Sequence, residues 1–199
     1  PAGAATVTYT SSATYFADAG PQSLQDFNVP ISSTATSITY NDLIVSCSGS
    51  SLCSPGFFGT SSISIDGLSV FFSSPSLVTF SFNSSITSFG IFIAGLGTIS
   101  PGSTTFSIAN SNGFSSVLFS NYSGTTTSFD SSLFAGLISD LPFTSVTLAG
   151  TQIGDGVFLD NLSYGLTPLP AALPLFTTGL SALAVLGWRR KRKAAPIAA

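Results

Sequence analysis

The stretch VTFSFNSSITSFGIFIA, at Val78–Ala94, carries the clearest fold signal in the chain. In its first part Val78, Phe80 and Phe82 alternate with hydroxyl side chains, a period of two that is typical of a strand with one buried face. Its last part, FGIFIA at Phe89–Ala94, is a continuous apolar run bounded by turn-forming residues. Such a short run, rich in aromatic and β-branched side chains, predicts a central strand.

Short strand signals of the same kind recur between residues 6 and 166. Val146 and Leu148 alternate with Ser and Thr, and Ile63 and Ile65 alternate with Ser, while turns rich in Gly, Asn and Pro separate the segments. This spacing predicts about eight to ten short strands, and so an all-β fold: an antiparallel, jelly-roll-like β-sandwich over residues 1–166. Before residue 169 we allow only one short helical turn, at Leu133–Ile138.

The charges of this chain are separated along the sequence. All five Lys and Arg residues stand in one run, Arg189–Lys193, so residues 1–188 hold no basic side chain. The eight acidic residues are all Asp and all precede that run, so the body carries −8 and the run +5, which gives the net −3. The body takes its polar character from Ser and Thr instead, which indicates an envelope or extracellular protein.

Two broad functions are disfavoured by this composition. Nucleic-acid binding needs basic side chains spread over a surface, and the body has none. Catalysis by a Ser or Cys nucleophile needs a base, and residues 1–188 contain no His, Glu or Lys. We therefore predict a protein that is not an enzyme and does not bind nucleic acid.

The two cysteines, Cys47 and Cys53, lie close together in CSGSSLC. A metal site is disfavoured because the chain has no His and no second Cys pair. We predict a disulfide, worth about 2 kcal/mol for so short a loop, which would require an oxidising compartment such as the periplasm. Two free thiols are the alternative.

The segment Leu169–Trp188, LPAALPLFTTGLSALAVLGW, contains twenty residues and no charge. A helix of that length spans about 30 Å, the thickness of the hydrocarbon core of a bilayer. The positive-inside rule then predicts a cytoplasmic tail at residues 189–199 and an inner-membrane anchor with residues 1–166 in the periplasm. The predicted interfacial and stop-transfer residues are Trp188, Arg189, Arg190, Lys191, Arg192 and Lys193.

The C-terminal residues TPLPAALPLFTTGLSALAVLGWRRKRKAA closely resemble PEP-CTERM sorting signals, in the variant that reads Val-Pro-Leu-Pro-Ala. Thr167 stands in place of the Val of that variant, and the other motif residues are in register. The predicted sorting motif at residues 167–171 therefore contains Pro168, Leu169, Pro170 and Ala171. The resemblance is specific because a Pro-rich motif, an apolar helix and a basic tail occur in a fixed order.

This resemblance implies a Gram-negative bacterium, Sec export and recognition by an exosortase, which would cleave near the Pro-rich motif. It also implies release to the cell surface and association with exopolysaccharide or biofilm matrix. The leading interpretation is thus an exported, membrane-tethered envelope or matrix protein. The alternative is a permanently anchored single-pass subunit of a larger inner-membrane complex.

A second resemblance concerns the end of the body. SDLPFTSVTL and GDGVFLDNLSYG resemble the last strands of jelly-roll, carbohydrate-binding-like domains. Asp160, Asn161 and Leu162 carry most of the likeness, and Phe143, Val146 and Leu148 contribute less to it. The resemblance implies the fold more than an activity, and it leaves a carbohydrate-binding module as a further alternative.

Asp160 is the most informative single residue of the body. On a regular strand it would share a face with Phe158, Leu162 and Tyr164, and a carboxylate on that core face must be compensated. No basic residue is available in the body, so backbone and hydroxyl donors or a bound cation remain. Similar sandwiches often hold a structural Ca²⁺ near the final strand. The resemblance therefore nominates Asp160 with Asp18, and more loosely Asp155, as Ca²⁺ ligands.

Overall fold

The computed structural model describes residues 5–28, 32–33, 36–48, 56–57, 70–73, 76–94, 104–122, 133–151 and 156–166. They form one helix, α1 (Ser12–Ala19), and twelve strands whose pairings are all antiparallel. The strands are β1 (Thr6–Tyr9), β2 (Ser23–Gln25), β3 (Ser32–Ser33), β4 (Ser37–Thr39), β5 (Leu43–Ser48), β6 (Gly56–Phe57), β7 (Val70–Ser73), β8 (Ser76–Ala94), β9 (Thr104–Asn110), β10 (Ser115–Tyr122), β11 (Leu133–Thr151) and β12 (Gly156–Leu166).

Two long strands, β8 and β11, run through the whole fold side by side, and each has 19 residues. The ring centroids of Phe80 and Phe89 lie 5.2 Å apart, although nine residues of extended chain would span about 30 Å. β8 therefore turns back on itself. Register shifts on either side of Phe143 mark the matching bend in β11.

The bends divide the pairing network into two layers. The first layer contains β1, the first half of β11, the second half of β8, then β12 with β2, β7 and β6. The second layer contains β4, β5, the first half of β8, the second half of β11, β9 and β10. Both layers contribute side chains to one buried apolar cluster, so the fold is a two-layered β-sandwich.

The alternation seen in the sequence is confirmed. Val78, Phe80 and Phe82 face the core and are at most 7% exposed, and Val146 and Leu148 on β11 are fully buried. The FGIFIA run is a central strand, as predicted, because this part of β8 lies between β11 and β12. The predicted strand residues Ile63 and Ile65 lie outside the described residues.

One local prediction was wrong: Leu133–Ile138 is not helical but forms the start of β11. Ala135 and Leu137 face the core, while Phe134 packs on the opposite face against Tyr15 of α1. Both faces of this strand are therefore covered by apolar groups. A strand buried on both faces shows no period of two, which explains the error.

The helix α1 was not predicted, although its ends carry recognisable signals. Ser11 precedes it with extended backbone, and its carbonyl oxygen accepts hydrogen bonds from the Tyr15 amide at 3.1 Å and the Thr14 hydroxyl at 3.0 Å. Gly20 follows with a φ of 68°, and Pro21 comes next, so the helix stops there. Eight residues are too few to show a clear helical period.

The packing of α1 depends on a pair of glycines. Gly90 of β8 and Gly136 of β11 are opposite each other, and the ring of Tyr15 lies over them. A Cβ atom at Gly90 would stand 2.5 Å from Cζ of Phe134 and 2.7 Å from Cε1 of Tyr15. The missing side chains therefore make the recess that lets Tyr15 be fully buried on the outer face of the first layer.

We expect Gly90→Ala to destabilise the protein by about 1–3 kcal/mol, because the added methyl group displaces the Tyr15 and Phe134 rings. Urea unfolding followed by circular dichroism measures the change. Ser115→Ala, an exposed change on β10, is the control and should alter stability by less than about 0.5 kcal/mol. Equal stability of Gly90→Ala and the control would show that the recess is not required.

Candidate functional site

The predicted sorting and anchoring residues lie outside the part of the chain that can be described. The described residues all belong to one compact unit, Pro1–Leu166. β12 ends at Leu166, where the ectodomain was predicted to end. None of the described helices is both long and apolar enough to cross a bilayer. The sorting motif at 167–171, the span at 169–188 and the tail at 189–199 remain predictions.

Cys47 is buried on β5 and is in the disulfide form. Its side chain points into the core with Val45 and Leu43 of the same strand. Cys53 lies outside the described residues, so the pairing of Cys47 with Cys53 remains a prediction.

The described aspartates are compensated by neutral donors. Tyrosine hydroxyls donate to the carboxylates of Asp18 and Asp42, from Tyr9 and Tyr164 respectively. The other three described aspartates accept hydrogen bonds from backbone amides. The donors are the amides of Ala5 to Asp140 at 3.1 Å, of Asn28 to Asp26 at 3.1 Å and of Asn161 to Asp160 at 2.8 Å. In a body without Lys, Arg or His, phenol and amide groups thus take the place of salt bridges.

Asp160 is fully buried, but not on the face that a regular strand would give it. Leu159, Leu162 and Tyr164 belong to the core cluster, whereas Asp160 pairs with Phe92, a residue of β8 whose neighbours Ile91 and Ile93 face the core. Asn161 has a φ of 48°, and the register of β12 against β8 shifts between Asp160 and Ser163. This bulge reverses the alternation, so the predicted face shared by Asp160 and Leu162 was wrong.

A second carboxylate and an amide lie near Asp160. β2 pairs with β12 through Gln25 and Leu162, which brings the next residue, Asp26, to the bulge. Burial, followed by the negative charges of Asp26 and Asp160, raises the pKa of Tyr40 above its ordinary value. Oδ1 of Asn161 is buried and accepts no hydrogen bond. Two carboxylates, a phenol and an unpaired amide oxygen therefore share one region.

Of the other two residues nominated for Ca²⁺, only Asp18 belongs to the described part of the chain. Asp18 lies on α1, where its Oδ2 accepts the hydroxyl of Tyr9 at 3.1 Å. Asp155 lies outside the described residues. Within the described ranges no group of three or more Asp, Glu, His or Cys residues is arranged to hold a metal ion. Any cation at Asp160 would therefore need amide, carbonyl or water oxygens as well.

Three residues of this region were not found from the sequence: Asp26, Tyr40 and Asn161. Asp26 and Tyr40 come from the loops around β2 and β4, and only the three-dimensional pairing brings them to β12. Asn161 carried one usable signal, because Asn is among the residues that adopt a positive φ most readily. The bond of Asp42 with Tyr164 joins residues 122 positions apart in the chain, so it could not be foreseen from the sequence.

No protein-family model and no curated relative matches the sequence. Among solved structures, the chain is similar to the CBM22-1 xylan-binding domain of Paenibacillus barcinonensis Xyn10C. The TM-score is 0.41 at 12% identity, over 76% of this chain and 97% of that domain. This similarity is too low to support an inference about what the chain binds.

Burial raises the pKa of Tyr15 from 10.0 to about 12. The folded protein then holds a proton that the unfolded chain releases between these values, so its stability is complete below pH 10 and is lost as the pH rises towards 12. We expect the free energy of unfolding to fall in this range by up to about 1.4 kcal/mol per pH unit for this group.

The Tyr15→Phe variant tests the assignment, since it keeps the ring and removes the titrating hydroxyl. Urea unfolding at several pH values should show a smaller alkaline loss for this variant than for the original chain. Some loss should remain, because burial also raises the pKa values of Tyr40 and Tyr164. An unchanged slope in Tyr15→Phe would contradict the role given to Tyr15.

Proposed function

We propose that this protein is exported and tethered to the inner membrane as a non-enzymatic, jelly-roll-like β-sandwich of the cell envelope or exopolysaccharide matrix. The observation that carries the proposal is the order of the C-terminal residues: PLPA at Pro168–Ala171, an uncharged stretch to Trp188, and then every basic residue of the chain. That order resembles a sorting signal recognised by an exosortase. Its apolar and basic parts suit a stop-transfer anchor.

The ectodomain supports a role in display rather than catalysis. Residues 1–188 contain no His, Glu, Lys or Arg that could act as a general base or bind an anion. The described aspartates are engaged by tyrosine hydroxyls and backbone amides. A cystine at Cys47 suits an oxidising compartment such as the periplasm.

Two other functions remain as alternatives. A permanently anchored subunit of an inner-membrane complex would keep the C-terminal segment and use it to contact partner helices. A carbohydrate-binding module is favoured by one surface feature: Phe16 of α1 is 44% exposed. An exposed ring offers an apolar face on which a sugar can stack.

Processing of the C-terminus separates sorting from permanent anchoring. In a host that contains an exosortase, we expect the mature protein to lack the residues after about Pro170, because the enzyme cleaves near the Pro-rich motif. Intact-mass spectrometry measures the loss. Pro168→Ala with Pro170→Ala should leave the C-terminus in place, whereas Pro142→Ala, an exposed change on β11, should be processed normally.

An intact C-terminus on the original chain, with stable partners that co-purify, would contradict sorting and support the membrane-complex alternative. Equal processing of the double variant and the original chain would show that the exosortase does not recognise the Pro-rich motif.

We also propose that the Asp160 region holds a structural Ca²⁺. Asp160 and Asn161 of β12 and Asp26 after β2 would supply oxygen ligands, in place of the Asp18 nominated from the sequence. Support comes from the full burial of Asp160, from the buried Oδ1 of Asn161 that accepts no hydrogen bond, and from the absence of basic side chains in residues 1–188. Ca²⁺ would neutralise the two carboxylates and tie β2 to β12.

We expect removal of Ca²⁺ by EDTA to lower the melting temperature, because an ion that binds only the folded state stabilises it. Asp160→Asn should abolish both this effect and Tb³⁺ luminescence sensitised by nearby tyrosine. Asp18→Asn is the matched control and should retain both. A melting temperature indifferent to EDTA, or equal losses in the two variants, would refute the site.

A further inference from the structure

The outer side of the second layer carries an ordered array of uncharged side chains, most of them small. One row crosses six strands in register: Ser37, Ser46, Thr79, Thr147, Ala109 and Ser115. A second row is Ser48, Leu77, Ala149, Ser107 and Val117, and a third is Thr39, Ile44, Ser81 and Ser145. We call this array the hydroxyl face.

These side chains point away from the core. Their neighbours along each strand, such as Val45, Phe80 and Leu148, belong to the buried cluster, so alternate residues must face outward. The hydroxyls of Thr79 and Thr147 lie 3.1 Å apart on this side. Leu77 is 43% exposed there, and Ile44 and Val117 are 40% and 57% exposed.

The hydroxyl face contains no charge, and none of the described aspartates belongs to its rows. Asp18 is on α1, Asp160 is on β12 of the first layer, and Asp140 lies at the bend of β11. Asp26 and Asp42 are in the connections after β2 and before β5. The negative charges of the described chain are thus kept off this one face.

We propose that the hydroxyl face is where two copies of this chain associate, each presenting the same surface to the other. Residues 1–188 contain aspartates and no cation, so a copy that approached through a face bearing carboxylates would meet uncompensated like charge. The hydroxyl face lacks that repulsion. Because a two-fold interface joins identical surfaces, it needs no complementary charge either.

The side chains of the hydroxyl face suit this contact. Ser, Thr and Ala are small enough to let two sheets pack about 10 Å apart. Leu77, Ile44 and Val117 supply apolar surface that the second copy covers. The hydroxyls at Thr79 and Thr147 both donate and accept hydrogen bonds, so they can pair with their counterparts.

The size of the face predicts a weak association. Fifteen side chains at sheet spacing cover on the order of 500 Å², so two copies bury on the order of 1,000 Å² together. Stable interfaces bury about 1,200–2,000 Å², so this contact lies below that range and suits copies held at high local density. This inference concerns the ectodomain surface and does not depend on how the C-terminus is processed.

The test uses the full chain in detergent at increasing protein concentration, with mass measured by sedimentation velocity. We expect Thr147→Glu to weaken self-association at least about tenfold, because two introduced carboxylates face each other without a cation nearby. Thr10→Glu, an exposed change next to β1 of the first layer, should leave the association unchanged. Association through the apolar C-terminal segment would persist in Thr147→Glu and would overturn the proposal.

A mixing experiment separates a lost contact from a misfolded variant. Thr147→Lys alone should also weaken self-association, whereas an equimolar mixture with Thr147→Glu should associate at least as strongly as the original chain. A mixture that stays monomeric would overturn the proposal. An original chain that remains monomeric at all concentrations would also overturn it. Binding of a neutral polysaccharide to the hydroxyl face of that monomer would then identify a different occupant.

Discussion

The absence of any cation from residues 1–188 is the constraint that shapes this β-sandwich. A carboxylate in such a body cannot form a salt bridge with the same domain, so its negative charge must be stabilised in another way. Tyr9 and Tyr164 donate their hydroxyls to Asp18 and Asp42, and backbone amides serve the other described aspartates. The same constraint acts most strongly on Asp160, which is fully buried.

The separation of charge also distinguishes the β-sandwich from the C-terminal segment. All five basic side chains follow Trp188, whereas all eight aspartates precede it. Within the described residues, the carboxylates leave one sheet face neutral, the outer side of the second layer. The proposals on membrane topology and on self-association both rest on this placement of charge.

The sandwich could be predicted because its signal is local. Val78, Phe80 and Phe82 alternate with hydroxyl residues, and a half-buried strand allows few other arrangements. The bend of β8 could not be predicted, since it depends on the contact between Phe80 and Phe89 within one folded strand. Asp160 was recognised as a buried acid, but the bulge at Asn161 reversed its face, and its neighbour Asp26 is 134 residues away in the chain. Helix α1 was missed because its stabilising surface, Gly90 and Gly136, is also distant in sequence.

The position of the last strand has a consequence for how the chain reaches its final state. β12 lies between β8 and β7 in the middle of the first layer, and β8 passes into the second layer. The first layer therefore cannot be completed before residues 156–166 are available to pair. Pairing of segments so far apart in sequence is also slow, because a long loop must close before any contact forms. The topology therefore makes completion of the first layer wait for β12, the last described strand, so this layer forms only after nearly all of residues 1–166 have been synthesised.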